Sequence, residues 1–392
     1  MKKRILYIHD EKGIEYGAHY INNLIVKKLR AKGFIVDSMY PKENVNLFSK
    51  SLSGISDILF YHSLIEKRKE ISKYDVVQGT TYTCLAFLDN GVPVVSLFGS
   101  TTHGFLKHVP SLKKLSRENK HLVKIFSGLK KYHVVDSLVP SIKSLKDIAK
   151  IEISVARRSD AVISTSEIVK RELMRNGIPR RKIVLAHNAI EDFWFRTKKV
   201  KKAKPVAELV YLGRMGDEPF TIKLKGIDRL GHIMGTFPNL RKTVIGMTAR
   251  VEEYQLFLSQ FSETITHLRV KKKEIPKILK NHYGDIFVNP GRYEGFCLSL
   301  IEAMSQGLVP ITFPIGVAPE IIVNGKNGYL VNSVEDVVRK INFLRAKKMK
   351  RVHMAEEAIR TSRLFNSDML IKKYVDIYHK LENKKGCQAY CS

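Results

Sequence analysis

A chain of 392 residues, 44% of them hydrophobic, can bury two or three cores, which excludes a disordered chain. Lysine and arginine number 68 against 38 acidic residues, a net charge of +30. That excess points to a polyanionic partner (anionic membrane, nucleic acid or phosphorylated substrate), with a uniformly basic proteome as the plain alternative. No apolar run approaches the ~18 residues of a spanning helix, and residues 5–8 are too short for a signal h-region, so a cytosolic chain is expected.

In chain order, residues 4–9 form a short apolar run that reads as a first buried strand. A helical pattern opens at Gly17, with Ile21, Leu24, Ile25 and Leu29 on one face, and ends near Gly33. Strands are expected at 34–36, 75–77, 92–97 and 161–164, with a helix at 141–158. Residues 196–204 carry 6 basic and no acidic side chains and read as a solvated linker. The alternation then restarts. Strands are expected at 208–212, 242–245, 285–288, 309–313 and 329–331, and helices at 226–234, 254–261, 274–281 and 333–345. Ser333 and Asp336 form a capping box. An amphipathic terminal helix carries Met369, Leu370, Tyr374, Ile377, Tyr378 and Leu381. Strands alternating with helices argue for α/β architecture with parallel, doubly wound sheets. The expected organisation is two Rossmann-like domains facing across a cleft, 1–195 and 205–365, with a terminal helix and tail at 366–392 packing back toward the first.

Four cysteines fit a reduced compartment. Cys84 and Cys297 stand alone, and Cys387 and Cys391, without a histidine-rich partner, read as an inert tail.

The informative segment is 289–307, Asn-Pro-Gly-Arg-Tyr-Glu-Gly-Phe-Cys-Leu-Ser-Leu-Ile-Glu-Ala-Met-Ser-Gln-Gly. A strand delivers a turn at Pro290 and Gly291, and a helix follows with Leu298, Ile301 and Met304 on one face. Ligands of open α/β sheets bind beyond the carboxyl ends of the strands, which is where Glu294 falls. The amides of Phe296, Cys297 and Leu298 point out of the helix N-terminus and suit phosphate or sugar oxygens. Glu302 is eight residues further on, at most ~12 Å at the helical rise. Two carboxylates so spaced can hold hydroxyls at both ends of one nucleotide-sugar.

This segment resembles the E-x7-E signature of the retaining glycosyltransferases of family 4, which have the GT-B fold. The resemblance implies that Glu294 binds hydroxyls of the donor sugar and Glu302 its ribose. A second match is Tyr211-Leu-Gly-Arg214 followed by Lys225-Gly-Ile-Asp-Arg-Leu230. In the family this arginine and lysine hold the donor diphosphate, which carries over to Arg214 and Lys225. Two fixed cations suit a leaving group that gains negative charge. The interval from Arg214 to Lys225 is long, so Lys223 is a second candidate. Gly226, following Lys225, favours the latter.

The N-terminal matches are looser. Gly13 to Ala18 resembles the family's glycine-rich loop near the donor phosphates, with Gly17 the candidate contact and Ala18 a departure from the pattern. His103 matches a family histidine that points into the cleft and is placed with Glu294 as a catalytic candidate; a core or capping histidine is the alternative. Asn188-Ala-Ile-Glu191 resembles a turn leading out of the first domain, with departures at Ala189 and Glu191. No Asp-x-Asp pair and no cluster with metal-ligand spacing occurs in the sequence. No metal or other cofactor is expected, with Arg214, Lys225 and helix-end amides replacing a bridging ion.

Residues 111–131 place Leu112, Leu115, Leu122, Phe126 and Leu129 on a helical stripe, with Lys113, Lys114, Arg117, Lys120 and Lys124 largely away from it. Seven basic residues accompany one acidic residue, Glu118. Two readings are open: an interfacial helix on an anionic leaflet, with Lys113, Lys114, Lys120 and Lys124 as membrane contacts, or a helix packed on the core with a solvated basic back. The expected function is transfer of a hexose-type sugar from a nucleotide-sugar, with retention, to a lipid-linked saccharide in cell-surface polysaccharide synthesis at the cytoplasmic membrane face. A soluble small-molecule or protein acceptor is the alternative. Nucleic acid is not an expected partner, since no binding motif accompanies the charge.

Overall fold

The computed structural model describes residues 3–9, 18–40, 64–109, 114, 117–134, 143–196 and 202–389. The chain forms two compact units. Unit 1 comprises Met1–Leu106, Ile142–Ala189 and Asn366–Ser392, and unit 2 comprises Lys107–Ser141 and Ile190–Phe365. In chain order the elements are β1 (Arg4–Ile8), α1 (Ala18–Ala31), β2 (Ile35–Met39), β3 (Val76–Thr80), β4 (Val94–Phe98) and α2 (Thr102–His108). Next come α3 (Lys120–Lys131), α4 (Lys143–Arg158), β5 (Ala161–Ser164), α5 (Glu167–Arg175), β6 (Ile183–Leu185) and α6 (Asp192–Arg196). These are followed by β7 (Leu209–Arg214), α7 (Pro219–Lys225), α8 (Ile227–Thr236), β8 (Lys242–Met247), α9 (Val251–Ser259), β9 (Thr264–Leu268) and α10 (Ile275–Leu279). The chain continues through β10 (Ile286–Asn289), α11 (Leu298–Ser305), β11 (Val309–Thr312), α12 (Ala318–Ile321), β12 (Tyr329–Leu330), α13 (Val334–Leu344), α14 (Lys348–Ser362) and α15 (Ser367–Ala389).

Each unit is built on a six-stranded parallel sheet, ordered β2-β1-β3-β4-β5-β6 in unit 1 and β12-β11-β10-β7-β8-β9 in unit 2. The central strands are apolar on both faces, as parallel strands covered by helices must be: residues 5–8 of β1 and all of β4 and β10 are buried. The two α/β units anticipated from the sequence are therefore present. Two strands lie where no strand is expected. β6 has only three residues, and β9, Thr-Ile-Thr-His-Leu, is a partly exposed edge strand without an apolar run. The helix α14 is also absent from the expected elements. Ser333 caps α13 by accepting the Asp336 amide at 3.1 Å.

The domain limits differ from the expected ones in two places. Residues 107–141 belong to unit 2 although their neighbours in sequence belong to unit 1. The expected linker at 196–204 is partly structured: Arg196 ends α6, Ala203 is buried in the unit 2 core, and Lys204 Nζ lies 2.7 Å from Asp285 Oδ2. Residues 197–201 lie outside the described residues. The terminal helix packs within unit 1, as expected. Leu370, Ile371, Tyr374, Ile377, Tyr378 and Leu381 are buried, Lys28 pairs with Asp368 at 3.2 Å, and the Tyr378 hydroxyl donates to Gln78 Oε1 at 2.5 Å. Met369, placed on the stripe by periodicity, is exposed instead.

The interfacial-helix reading of 111–131 needs correction. Leu122 and Leu129 are fully buried, and Leu129 and Val134 join a core cluster with Leu230, Met234, Tyr254 and Phe257. Helix α3 lies so close to α8 that a Cβ at Gly231 would come within 2.7 Å of Ile125 Cγ2. Of the apolar stripe, Leu122 and Leu129 are thus consumed by unit 2 and are not available for insertion into lipid. Lys114, Lys120 and Lys124 remain exposed. Lys113, Leu112, Leu115 and the side chain of Phe126 lie outside the described residues.

A glycine sets the geometry of unit 2. Gly226 ends α7 and starts α8 in the left-handed region (φ 68, ψ 36), and a Cβ there would lie 2.1 Å from the carbonyl oxygen of Pro290. Gly226→Ala is expected to lower unit 2 stability by at least ~1–2 kcal/mol from backbone conformation alone, with a further penalty from the clash. Thermal unfolding measures it, and an unchanged midpoint would refute the constraint.

In unit 1 a buried carboxylate holds the turn after β4. Glu152 on α4 accepts the Thr102 amide at 2.8 Å and the Thr102 hydroxyl at 2.9 Å, while Glu172 accepts the Thr101 hydroxyl at 2.7 Å. Burial pushes the Glu152 carboxyl up to about 7, opposed by the Thr102 donors and reinforced by Glu172. A raised folded-state pKa adds stability at low pH, and that stability drains away as pH rises from the ordinary carboxyl range through about 7. Wild type should therefore lose up to about 3 kcal/mol between pH 4.5 and 7.5 relative to Glu152→Gln. Denaturation at both pH values tests this; parallel curves for the two proteins would refute it.

Candidate functional site

The strand order of unit 2 reverses between β7 and β10, so the connections from these neighbours diverge to opposite sides and open a crevice beyond their carboxyl ends. Arg214 is the last residue of β7 and is exposed. Asn289 is the last residue of β10, and the loop carrying Glu294 follows. Asn289 fastens both ends of that loop: its Oδ1 accepts the Gly291 amide at 3.2 Å and its Nδ2 donates to Cys297 Sγ at 3.0 Å.

The loop is held from behind by a buried charge network. Arg292 donates twice to Asp228, at 2.7 Å each, and once to the Lys223 carbonyl at 2.7 Å. Arg229 donates to the carbonyls of Pro290 and Gly291 at 3.1 and 3.2 Å and lies over the Phe313 ring. Glu118, from the segment before α3, pairs with both arginines. Burial lowers the Arg229 pKa and the adjacent Arg292 lowers it further, against the pull of Glu118 and Asp228.

Held this way, the loop presents Glu294 to Lys225. The Lys225 ammonium pairs with Glu294 Oε1, and both side chains are about one-fifth exposed. Lys225 is the last residue of α7, and Gly226 behind it permits the close approach to Pro290. Lys223, the other candidate, is buried at 1% exposure. Its pKa is lowered by burial, with Asp228 raising it and Arg292 lowering it. Of the two lysines, Lys225 is the one whose ammonium meets Glu294.

Helix α11 starts beside this pair. The Phe296 carbonyl accepts the Val317 amide at 2.9 Å, and Phe296 packs edge-on to Phe365. Cys297 occupies the cap position with φ 76, a left-handed conformation uncommon outside glycine, and its side chain does not cap the helix. Burial, then the nearby Glu294, pushes the Cys297 thiol up to about 12, which makes it an inert packing group. Leu298 is half-buried at the first helical position. In the first turn of α11 the Leu300 amide donates to the Cys297 carbonyl at 3.2 Å, and the helix start carries partial positive charge.

One turn deeper, Glu302 is buried, and it is not alone. Lys272 Nζ lies 3.1 Å from Glu302 Oε1 and 2.8 Å from Glu191 Oε1, and the Trp194 indole donates to Glu191 Oε2 at 3.2 Å. Burial raises the Glu302 pKa, Lys272 lowers it and Glu191 raises it, for a net upward shift.

His103 is half-buried in the first turn of α2, in unit 1. Gly17 and the rest of its loop lie outside the described residues. Among the described residues, Glu208, His282 and Asp285 bring three ligand-type atoms within 4.8 Å of one another. Lys204 Nζ already lies 2.9 Å from Glu208 and 2.7 Å from Asp285, and Arg241 lies 3.5 Å from Glu208, so the carboxylates already have cationic partners. Glu208 and Asp285 precede β7 and β10, at the strand ends opposite the crevice.

Sequence reasoning misses Asp228, Arg229, Arg292, Lys272 and the part played by Glu118 and Glu191. Arg292 and Asp228 lie inside the quoted motifs but look like ordinary polar residues there. Glu118 stands out only as the single acid of a basic stretch, and Lys272 carries no signal.

Residues 193–361 match the model of the family described as glycosyl transferases group 1. An uncharacterized 41.2 kDa protein in the cps region of Klebsiella pneumoniae is 24% identical over 345 residues, covering 85% of this chain and 86% of that protein. The putative colanic acid biosynthesis glycosyltransferase WcaL of Escherichia coli is 24% identical over 45% of this chain and 44% of its own length. Among solved structures, the sucrose-phosphate synthase of Thermosynechococcus elongatus superposes with a TM-score of 0.72 at 14% identity, covering 98% of this chain and all of that one. Anabaena HepE in complex with UDP and glucose gives a TM-score of 0.65 at 14% identity, covering 95% and 98%. The matched region spans most of unit 2 and holds the crevice residues, so this part of the chain is similar to group 1 glycosyl transferases, and the two α/β units have the GT-B fold of the solved structures.

Proposed function

We propose that the protein transfers a hexose-type sugar from a nucleotide-sugar to an acceptor with retention of configuration, and that unit 2 binds the donor. The observation that carries this is the Lys225–Glu294 pair at the switch point, with Arg214, the α11 amides and Glu302 on the same strand ends. Lys225 and Arg214 take the diphosphate, whose negative charge grows as the glycosidic bond breaks, and so stabilise the departing group. The amides of Phe296, Cys297 and Leu298 add fixed dipoles there. Glu294, released from Lys225 when phosphate arrives, accepts hydroxyls of the sugar, and Glu302 accepts those of the ribose. With cations and amides serving the diphosphate, no metal is required. With no second carboxylate assigned as a base, the leaving phosphate accepts the proton of the incoming hydroxyl on the same face.

The acceptor is proposed to be a lipid-linked saccharide in polysaccharide synthesis. Relatives named for a cps region and for colanic acid biosynthesis support that reading. So does a component of the phosphatidylinositol N-acetylglucosaminyltransferase of Arabidopsis thaliana, 23% identical over 49% of this chain and 42% of its own length. No helix among the described residues is long and apolar enough to cross a membrane. Contact with an anionic leaflet therefore rests on charge, through exposed Lys114, Lys120 and Lys124.

Lys225→Met and Glu302→Ala should each weaken nucleotide-sugar binding about tenfold or more by calorimetry; unchanged affinity in both would refute the donor site. Turnover should persist in EDTA, with a product whose anomeric coupling matches the donor. Metal-dependent rescue would overturn the first expectation and an inverted centre the second. Co-sedimentation with anionic vesicles should fall steeply with salt, since exposed charges are screened beyond ~8 Å. It should also fall for Lys120→Glu with Lys124→Glu. Equal sedimentation of that variant and wild type would favour a soluble acceptor.

A further inference from the structure

Lysine is almost never buried unless it is paired, and Lys272 is buried with its side chain 8% exposed. It sits at the start of the turn after β9, and its ammonium bridges Glu302 on α11 and Glu191 just before α6. Glu191 is itself anchored: the indole of fully buried Trp194 donates to it, and the Trp194 carbonyl accepts from Gln306 Nε2 at 2.7 Å. None of these side chains has a solvent-driven reason to be charged there. Two carboxyls, Glu302 buried and Glu191 partly so, thus share one ammonium.

We propose that Lys272 is a positioning residue for the donor's ribose, holding the Glu302 carboxylate between itself and the Glu191 anchor in the orientation that accepts hydrogen bonds from the ribose diol. This rests on the reading of Glu302 as the ribose carboxylate. An ionised carboxylate is acceptor-only and suits a diol, which offers two donors; a protonated carboxyl has lost part of that capacity. Lys272 favours the ionised form of Glu302, opposing burial and Glu191, which still leave the carboxyl above its ordinary range. It also ties the turn after β9 to α11, which fixes Glu302 against that turn. A lysine here is therefore a specificity device for ribonucleotides and not only a stabilising ion pair.

The test measures affinities of the purified full chain for uridine, guanosine and adenosine diphosphates, each against its 2′,3′-dideoxy form. Wild type should bind its preferred ribonucleotide about tenfold or more tighter than the dideoxy form. Lys272→Met should bring that ratio close to one while leaving dideoxy affinity within about twofold. Should Lys272→Met fail to unfold cooperatively, Lys272→Met combined with Glu191→Gln removes one uncompensated charge and should give the same collapse. A ratio retained in the variant, or equal losses for both nucleotide forms, would overturn the positioning role. Glu302→Ala is the control on the underlying reading. If it keeps the wild-type ratio, or wild type shows none, Glu302 is not the ribose carboxylate and the role of Lys272 falls with it.

Discussion

The donor side of this protein hangs on the Arg292–Asp228 ion pair, a two-pronged contact at 2.7 Å buried beneath the loop after β10. Removing one member of such a pair typically costs 3–5 kcal/mol, because the survivor remains charged and desolvated. Asp228 lies in the first turn of α8, so the pair ties that helix to the loop, while Arg292 also reaches the Lys223 carbonyl on α7. Arg229 adds hydrogen bonds to two loop carbonyls from the next position of the same helix. Lys225, Glu294 and the start of α11 take their places from this frame.

The frame explains why residues 107–141 fold with unit 2. Glu118 supplies a second carboxylate for two arginines that would otherwise share Asp228 alone. Leu129 and Val134 then extend the contact into the core between α8 and α9, and the Arg250 side chain donates to the His133 carbonyl at 2.6 Å. Leu122 and Leu129 of a stripe that looks suited to lipid are spent on protein, and Lys120 and Lys124 of the same helix stay exposed.

The site uses buried charge in two separate ways. Near the surface, Lys225 and Glu294 neutralise one another while about a fifth exposed, an arrangement that a phosphate can displace. Deeper, Lys272 sits between Glu302 and Glu191 at low exposure, an arrangement built to stay. One pair is open to exchange with an incoming anion, and the other is fixed by its burial.

The sequence by itself determined the two α/β units, most central strands, the terminal helix and the segment 289–307 with both its glutamates. These are local properties: apolar runs, helical spacing, and a strand–turn–helix order that places a residue at a strand end. Only the tertiary structure shows that Lys223 is buried while Lys225 meets Glu294, because two positions on one helix point to different faces and the local sequence does not say which face is covered. It also decided the partner of the 111–131 stripe, since periodicity reports that a face is apolar and not what covers it. Lys272, Glu191 and Glu118 were illegible for the same reason. Each acts through a partner 30 to 174 positions away, and nothing in a local window distinguishes a paired buried lysine from a solvated one.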